Sequence, residues 1–161
     1  MDNAGIEAVL ADDAERGFWL KPVGDPTRPV DLAAAYTGTI EFAKEPVGLA
    51  VGDVVMVSRI GVSKVMYVAR CLSAPELATD AQVAEEPWRA RVRWFVRTEN
   101  LTPDYGRNWG RYMLKPFDLV KEYNDLYPEV PAKLDTLRRS AEIVAIPREF
   151  VAYILRRIRA F

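Results

Sequence analysis

The chain has 161 residues, half of them apolar, and its 22 Lys and Arg residues nearly balance its 23 Asp and Glu residues. It contains no histidine and a single cysteine, Cys71, which excludes a Ser-His-Asp triad, a Cys-His pair, a His-ligated zinc site and a disulfide framework. No apolar run reaches the roughly 18 residues of a membrane span, and the start lacks the basic region of a signal peptide. We therefore expect a cytoplasmic protein with no membrane contact.

The charge is distributed unevenly along the chain. Residues 1–53, 54–115 and 116–161 carry net charges of −6, +4 and +1. Two interpretations fit the basic middle segment: a solvated face of a sheet, or a footprint for an anionic polymer, since arginine pairs bidentately with phosphate and stacks on flat rings. The acidic isoelectric point, about 5.6, argues against strong non-specific binding of nucleic acid. The arginines concerned are Arg59, Arg70, Arg89, Arg91, Arg93, Arg97, Arg107 and Arg111.

The N-terminal part of the chain predicts a helix and a strand. Residues 2–16 carry apolar side chains at helical spacing and predict a short helix or a frayed tail, ahead of a domain over residues 17–161. Residues 17–23, "GFWLKPV", predict a strand that ends at the turn residues "GDPTRP".

The next segment predicts further strands. Residues 39–42 could be extended, and the apolar runs Val54–Val57 and Lys64–Ala69 flank a polar loop, as in a hairpin. Cys71 continues the second run and is expected to be a buried, inert thiol.

The second half of the chain begins with a strongly alternating pattern, "PWRARVRWFV". The alternation predicts a half-buried strand with Trp88 and Trp94 in the core and arginines on the opposite face. Residues 98–118 predict a long polar and aromatic loop, and Ala141–Ile146 predicts a final strand. The last segment, "REFVAYILRRIRAF", predicts an amphipathic helix that docks through its apolar face.

Together these elements predict an α+β fold, in which five or six short strands form a small, bent sheet or barrel with flanking helices. The absence of nucleotide-binding loops and of a histidine favours a binding protein over an enzyme. A carboxylate-based enzyme that uses Asp53 with Asp104 or Glu99 is the catalytic alternative.

Four segments in this order resemble an EVE domain of the PUA-like superfamily. They are "FWLKPVGDP", "VGDVVMVSRIGVSKVMYVARCLSAP", "PWRARVRWFV" and "LRRSAEIVAIPREFVAYIL". The resemblance covers residues 17–155 and implies a PUA-like β-barrel that binds a modified, flipped base of DNA or RNA without catalysis, cofactor or metal. Two departures are that Tyr36 stands in a segment without the usual amide side chains, and that Ser58 replaces a histidine.

Base contacts are expected at an aromatic pocket in the barrel mouth, because a flipped base must replace its lost stacking. The resemblance implies Trp19 as the stacking wall, and Tyr36 and Trp109 are further aromatic candidates. Ser58 and Asn108 could read the edge of the base. Each has a structural alternative: a core position for Trp19, the edge of a hairpin for Ser58, and a turn for Asn108.

Phosphate contacts are expected from cations around the same pocket, since such contacts fix the register of a nucleic acid without reading its sequence. The candidates are Lys21, Arg59, Arg107 and Arg111. The alternative function is a module that binds a small molecule or a protein in the same pocket, with no nucleic acid.

Overall fold

The structure, a computed structural model, describes residues 3–23, 36–59, 64–107, 116–133 and 143–160. A mixed sheet curls into a half-barrel, and helices pack against its outer side. This arrangement confirms the predicted α+β class and the small, bent sheet with flanking helices. Within the described ranges, no helix is long and apolar enough to cross a membrane.

The strands lie in the order β2–β6–β4–β3–β1–β7, and β5 pairs with the first residues of β6. The pair β1–β3 is parallel and all other pairs are antiparallel. No ladder of backbone hydrogen bonds joins β1 to β2 among the described strands. The strands are β1 (Phe18–Val23), β2 (Thr39–Phe42), β3 (Val54–Arg59), β4 (Lys64–Cys71), β5 (Glu76–Leu77), β6 (Trp94–Asn100) and β7 (Val144–Ala145).

The described helices connect or cover these strands. The 3-10 helix Pro87–Arg91 precedes β6, and the longest helix closes the described part of the chain. The α-helices are α1 (Ala4–Ala11), α2 (Asp80–Glu85), α3 (Pro103–Arg107), α4 (Pro116–Leu126) and α5 (Arg148–Arg159).

Two apolar clusters lie on opposite faces of the sheet, because side chains alternate along each strand. On β1, Phe18 and Leu20 belong to the helix-side cluster, whereas Trp19 packs against the cluster on the concave side. The helix-side cluster also takes in Ile6 of α1. Helix α5 buries Phe150, Val151, Tyr153, Ile154, Leu155 and Ile158 and exposes its last arginines, which confirms the predicted docking helix.

Several local predictions are confirmed. The N-terminal segment forms a helix, β1 and β2 occupy the predicted positions, and β3 and β4 form the predicted hairpin. The register of that hairpin shifts between Val57 and Ser58, as at a β-bulge. Cys71 is a buried free thiol, as expected.

The predicted strand at residues 87–96 is wrong in its first part. Pro87 starts a 3-10 helix, and the strand begins only at Trp94. The alternating pattern fails here because the fixed φ of proline suits the first turn of a helix. Arg89, expected on a solvated face, instead packs onto the rings of Trp88 and Phe95. Trp88 is consequently 51% exposed rather than buried, whereas Trp94 packs against the concave cluster.

Two other boundaries also differ from the prediction. The expected loop over residues 98–118 is ordered at its start, where β6 continues to Asn100 and α3 follows. The last predicted strand is reduced to Val144–Ala145, and residues 141 and 142 lie outside the described ranges.

Candidate ligand-binding site

A pocket of about 620 Å³ opens on the concave side of the sheet, between β1 and the end of β2. Its volume falls within the range of about 300–1,000 Å³ that is usual for small-molecule sites. Strand β1 contributes Trp19 and the consecutive residues Lys21, Pro22 and Val23, and most of the remaining described wall comes from the end of β2, the turn after it and the region of the 3-10 helix. The described lining residues are Trp19, Lys21, Pro22, Val23, Glu41, Phe42, Ala43, Lys44, Glu45, Pro46, Val47, Trp88, Val92 and Ile143.

Asp53 fixes the indole of Trp19. The buried carboxylate accepts hydrogen bonds from the Trp19 indole nitrogen (3.0 Å), the Gly17 backbone (2.8 Å) and the Ala50 backbone (3.0 Å). Because the only polar atom of the indole is committed to Asp53, Trp19 offers its ring surface and carbon edge to the pocket.

Gly17 allows the close approach of this indole to Asp53, and Gly48 lies near the far edge of its ring. A Cβ atom at Gly17 would lie 2.7 Å from the Asp53 carboxylate and would also meet the indole nitrogen of Trp19. Gly48, at φ +90°, passes the far edge of the ring, where a Cβ would lie 3.4 Å from Cη2. Trp19 also lines a second cavity of about 450 Å³, which Arg16 and Arg148 border.

Lys21 and Phe42 contact each other in the wall of the pocket. The Lys21 ammonium lies 5.4 Å from the centroid of the Phe42 ring, within the range of a cation–π contact. Lys21 is only 7% exposed, so its charge lies in the wall of the pocket and not on the outer surface.

Trp88 forms an exposed part of the pocket wall, and the Arg89 guanidinium packs against its ring. The Arg89 guanidinium lies 4.7 Å from the Trp88 ring centroid and 5.5 Å from that of Phe95, so it is packed between two aromatic rings. Its buried Nε and Nη1 atoms have no hydrogen-bond partner among the described residues, and Glu86 is 3.5 Å from the guanidinium. This packing positions the exposed indole of Trp88 at the pocket.

Burial changes the acid–base properties of the concave side. Burial, with a smaller contribution from the Asp53 carboxylate, raises the pKa of the Cys71 thiol to about 12. Burial and the Glu41 carboxylate also raise the pKa of Tyr67 well above its usual value. Both groups therefore stay neutral at physiological pH.

The structure places the predicted base contacts in different surroundings. Trp19 lies in the pocket wall, but Ser58 is 2% exposed at the β3 bulge and is not among the described lining residues. Tyr36 donates a hydrogen bond to the Thr98 carbonyl (2.8 Å) and packs edge-on against Tyr67, so its hydroxyl is committed within the fold. The other two predicted base contacts, Asn108 and Trp109, lie outside the described residues.

Of the four predicted phosphate contacts, only Lys21 has a side chain within the described part of the structure. Lys21 lines the pocket, as described above. Arg59 ends β3 and Arg107 ends α3, but their side chains lie outside the described part of the structure, as does the whole of Arg111.

Sequence reasoning missed Trp88 and Phe42 as pocket residues. Trp88 follows Pro87, and this Pro-Trp pair is the one local signal for a helical turn that would leave the tryptophan exposed. Phe42 had no such signal, because only the curl of the sheet brings the end of β2 opposite β1. Among the described residues, no cluster of three or more His, Cys, Asp or Glu could hold a metal ion.

Fold and pocket together define an α+β protein with a half-barrel sheet whose concave side carries an aromatic cavity. No protein-family model and no curated protein matches the chain. Among solved structures, it is similar to a hypothetical protein from Leishmania major, with a TM-score of 0.54 and 16% sequence identity. The likeness covers 91% of this chain and 96% of that one, and at this identity it shows a shared fold alone.

Proposed function

We propose that this protein binds a modified base, flipped out of DNA or RNA, in the pocket between β1 and β2, and that it does so without catalysis. The observation that carries the proposal is the meeting of Trp19, Phe42 and Trp88 around one cavity of about 620 Å³, with the ammonium of Lys21 in its wall. The resemblance of the sequence to EVE domains supports the same function.

A flat heterocycle suits this cavity better than a flexible ligand. Trp19 is held at its nitrogen by Asp53, so its ring is oriented before a ligand arrives. Stacking of a base on an aromatic side chain contributes about 1–3 kcal/mol and tolerates any base, because every base has a π-face. Discrimination among bases must then come from polar atoms in the wall.

The charges that line the pocket are balanced. Its described lining includes two lysines, Lys21 and Lys44, and two glutamates, Glu41 and Glu45. Phosphate groups of a bound strand therefore need cations outside this lining, for which Arg59, Arg107 and Arg111 remain the predicted candidates.

The same balance supports a second candidate function, the binding of a neutral planar small molecule with no nucleic acid. In that case the free heterocycle binds as tightly as the same ring within an oligonucleotide. A nucleic-acid reader gains affinity from the backbone and loses it steeply as salt is raised.

The test compares oligonucleotides that carry one modified base with unmodified copies and with the free nucleosides, by fluorescence anisotropy and calorimetry. We expect tighter binding of a modified oligonucleotide and a loss of about tenfold or more in Trp88→Ala, since a stacking wall is removed. Leu126→Ala, which truncates a similarly exposed side chain on α4, is the control. Equal affinity for all oligonucleotides, or no effect of Trp88→Ala, would contradict the proposal.

A further inference from the structure

We infer that the exposed side chain of Val47 is a wedge that fills the space left in the stack by a flipped base, so that the site takes its base from a double helix. This inference rests on the proposed function. It names the substrate class, duplex nucleic acid, and a residue whose role is separate from the contacts to the base.

A flipped base leaves two problems in a duplex. Extrusion breaks the stacking of the base on both neighbours and its pairing with the opposite strand. Stacking on Trp19 restores contact to the base but does nothing for the hole that remains. An apolar side chain that enters the stack covers the exposed faces of the neighbouring bases. A reader of duplexes therefore needs an apolar side chain that stands in solvent where the pocket opens.

Val47 has this position. Its side chain is among those that line the pocket, yet it is 80% exposed, so it lies where the cavity meets solvent. A side chain exposed to this extent gains little from burial in the folded protein. Its apolar surface is thus available to a bound helix.

The turn after β2 holds Val47 in place. The Leu49 amide donates a hydrogen bond to the Pro46 carbonyl (3.2 Å), and Gly48 has φ +90°, both features of a type II turn. Pro46 and Leu49, on either side of the tip, are buried. The branched side chain of valine also has few rotamers. The wedge is therefore presented with little freedom to lose on binding.

The same turn passes the stacking wall. Gly48 follows Val47 directly, and a Cβ atom at Gly48 would lie 3.4 Å from Cη2 of Trp19. A base that stacks on Trp19 therefore leaves its helix beside the turn that carries Val47.

A second turn of the same form provides a matched control. The Asp53 amide donates to the Ala50 carbonyl (3.1 Å), Gly52 has φ +88°, and Val51 is 64% exposed. Val51 is not among the described lining residues of the pocket. The two valines thus share their exposure and their turn, and what sets Val47 apart is its position at the pocket.

The test measures binding of DNA that carries one central N6-methyladenine, 5-methylcytosine or 5-hydroxymethylcytosine, as a single strand and annealed to its complement. We expect the wild type to bind a modified duplex. Val47→Ala should weaken duplex binding by about fivefold or more and single-strand binding by less than about twofold, because only the duplex has a hole to fill. Val51→Ala should change neither.

Two further measurements separate the wedge from effects on the turn. Val47→Ile keeps an apolar, branched side chain and should retain the duplex affinity of the wild type. Because Val47 is exposed, Val47→Ala should also leave the urea midpoint unchanged.

Duplex affinity that Val47→Ala leaves unchanged, or an equal loss for duplex and single strand, would overturn the inference. Wild-type protein that binds none of the duplexes would also overturn it. In each case, tighter binding of a modified than of an unmodified single strand would still support the proposed function, whereas equal affinity for all oligonucleotides contradicts that function and this inference together.

Discussion

The two faces of the half-barrel sheet differ in what they bury. The helix side is built from apolar and aromatic side chains of α1, α5 and the strands, and most are almost completely excluded from solvent. The concave side also has an apolar cluster. Unlike the helix side, however, this side also buries the polar residues Lys21, Asp53 and Thr98, and it leaves Trp19 partly accessible to solvent. Burying polar groups is costly unless they are bonded, and on the concave side Asp53 and Thr98 are both hydrogen-bonded. The helix side therefore provides stability through apolar packing, whereas the concave side combines bonded polar groups with a pocket.

The largest expected effect is on the helix side. Phe150 is fully buried and contacts the Tyr123 ring with centroids 5.0 Å apart. Phe150→Ala should lower the free energy of unfolding by about 3–5 kcal/mol, because it removes a large side chain and leaves a cavity. Urea denaturation measures this loss, and Leu126→Ala should change it by less than about 0.5 kcal/mol. Similar values for the two variants would show that the helix side is not the stabilising face.

A second variant tests whether the polar groups of the concave side are structural as well. Asp53→Ala leaves the N–H groups of Gly17, Ala50 and Trp19 without their acceptor. We expect a loss of about 2–4 kcal/mol in the free energy of unfolding and a shift in tryptophan emission. Asp53→Asn keeps one acceptor oxygen and should lose less. An unchanged emission spectrum in Asp53→Ala would show that the carboxylate does not hold the indole.

The reactivity of the Cys71 thiol measures how well the concave side excludes solvent and disfavours a buried thiolate. Because burial favours the neutral thiol and raises its pKa to about 12, the thiolate is far rarer in the folded protein than in the unfolded chain. At pH 8, iodoacetamide should modify the native protein at least about 100-fold more slowly than the urea-unfolded protein. Rapid modification of native protein would place Cys71 on an open surface.

The same pKa shift predicts the direction of a pH effect on stability. The unfolded thiol loses its proton near pH 8.5, well before the folded one does. The contribution of Cys71 is therefore fully present below about pH 8 and declines as the pH rises toward 12. Comparison of urea midpoints at pH 8 and pH 10 for the wild type and Cys71→Ala should show a smaller decline in the variant.

The smallest effect on stability is expected at the pocket rim. Trp88 is half-exposed and makes a cation–π contact with Arg89, so Trp88→Ala should cost no more than about 1 kcal/mol in urea denaturation. Its loss of ligand affinity should be the larger of its two effects. A loss of stability as large as that of Phe150→Ala would place Trp88 in the core and remove it from the site.

Secondary-structure elements that follow from a pattern within one short segment of the sequence were predicted correctly. The β3–β4 hairpin and helix α5 follow from continuous apolar runs and from apolar residues at helical spacing, and both are confirmed. The failure at residues 87–93 arose because the alternation was interpreted without regard to the proline at its start. The contact of Arg89 with Phe95 of β6 adds a packing interaction that the alternation does not indicate.

The site was harder to predict than the fold. Trp19 and Lys21 lie in the pocket because they alternate on one strand, which a sequence can suggest. Phe42 and Trp88 join them only through the curl of the sheet and the 3-10 helix, which no short segment specifies. Ser58 was chosen for its place at a strand end, but the bulge beside it leaves it buried and apart from the described lining.

The parallel pairing of β1 with β3 bears on the order of assembly. Strand β1 pairs with residues 36 positions later, whereas β3 and β4 are separated by a short loop. Closing a long loop costs more entropy than closing a short one, so the hairpin can form first and β1 must dock onto it afterwards. Trp19 and Lys21 belong to that later strand, so the hairpin alone cannot form the cavity, which also requires the long-range docking of β1.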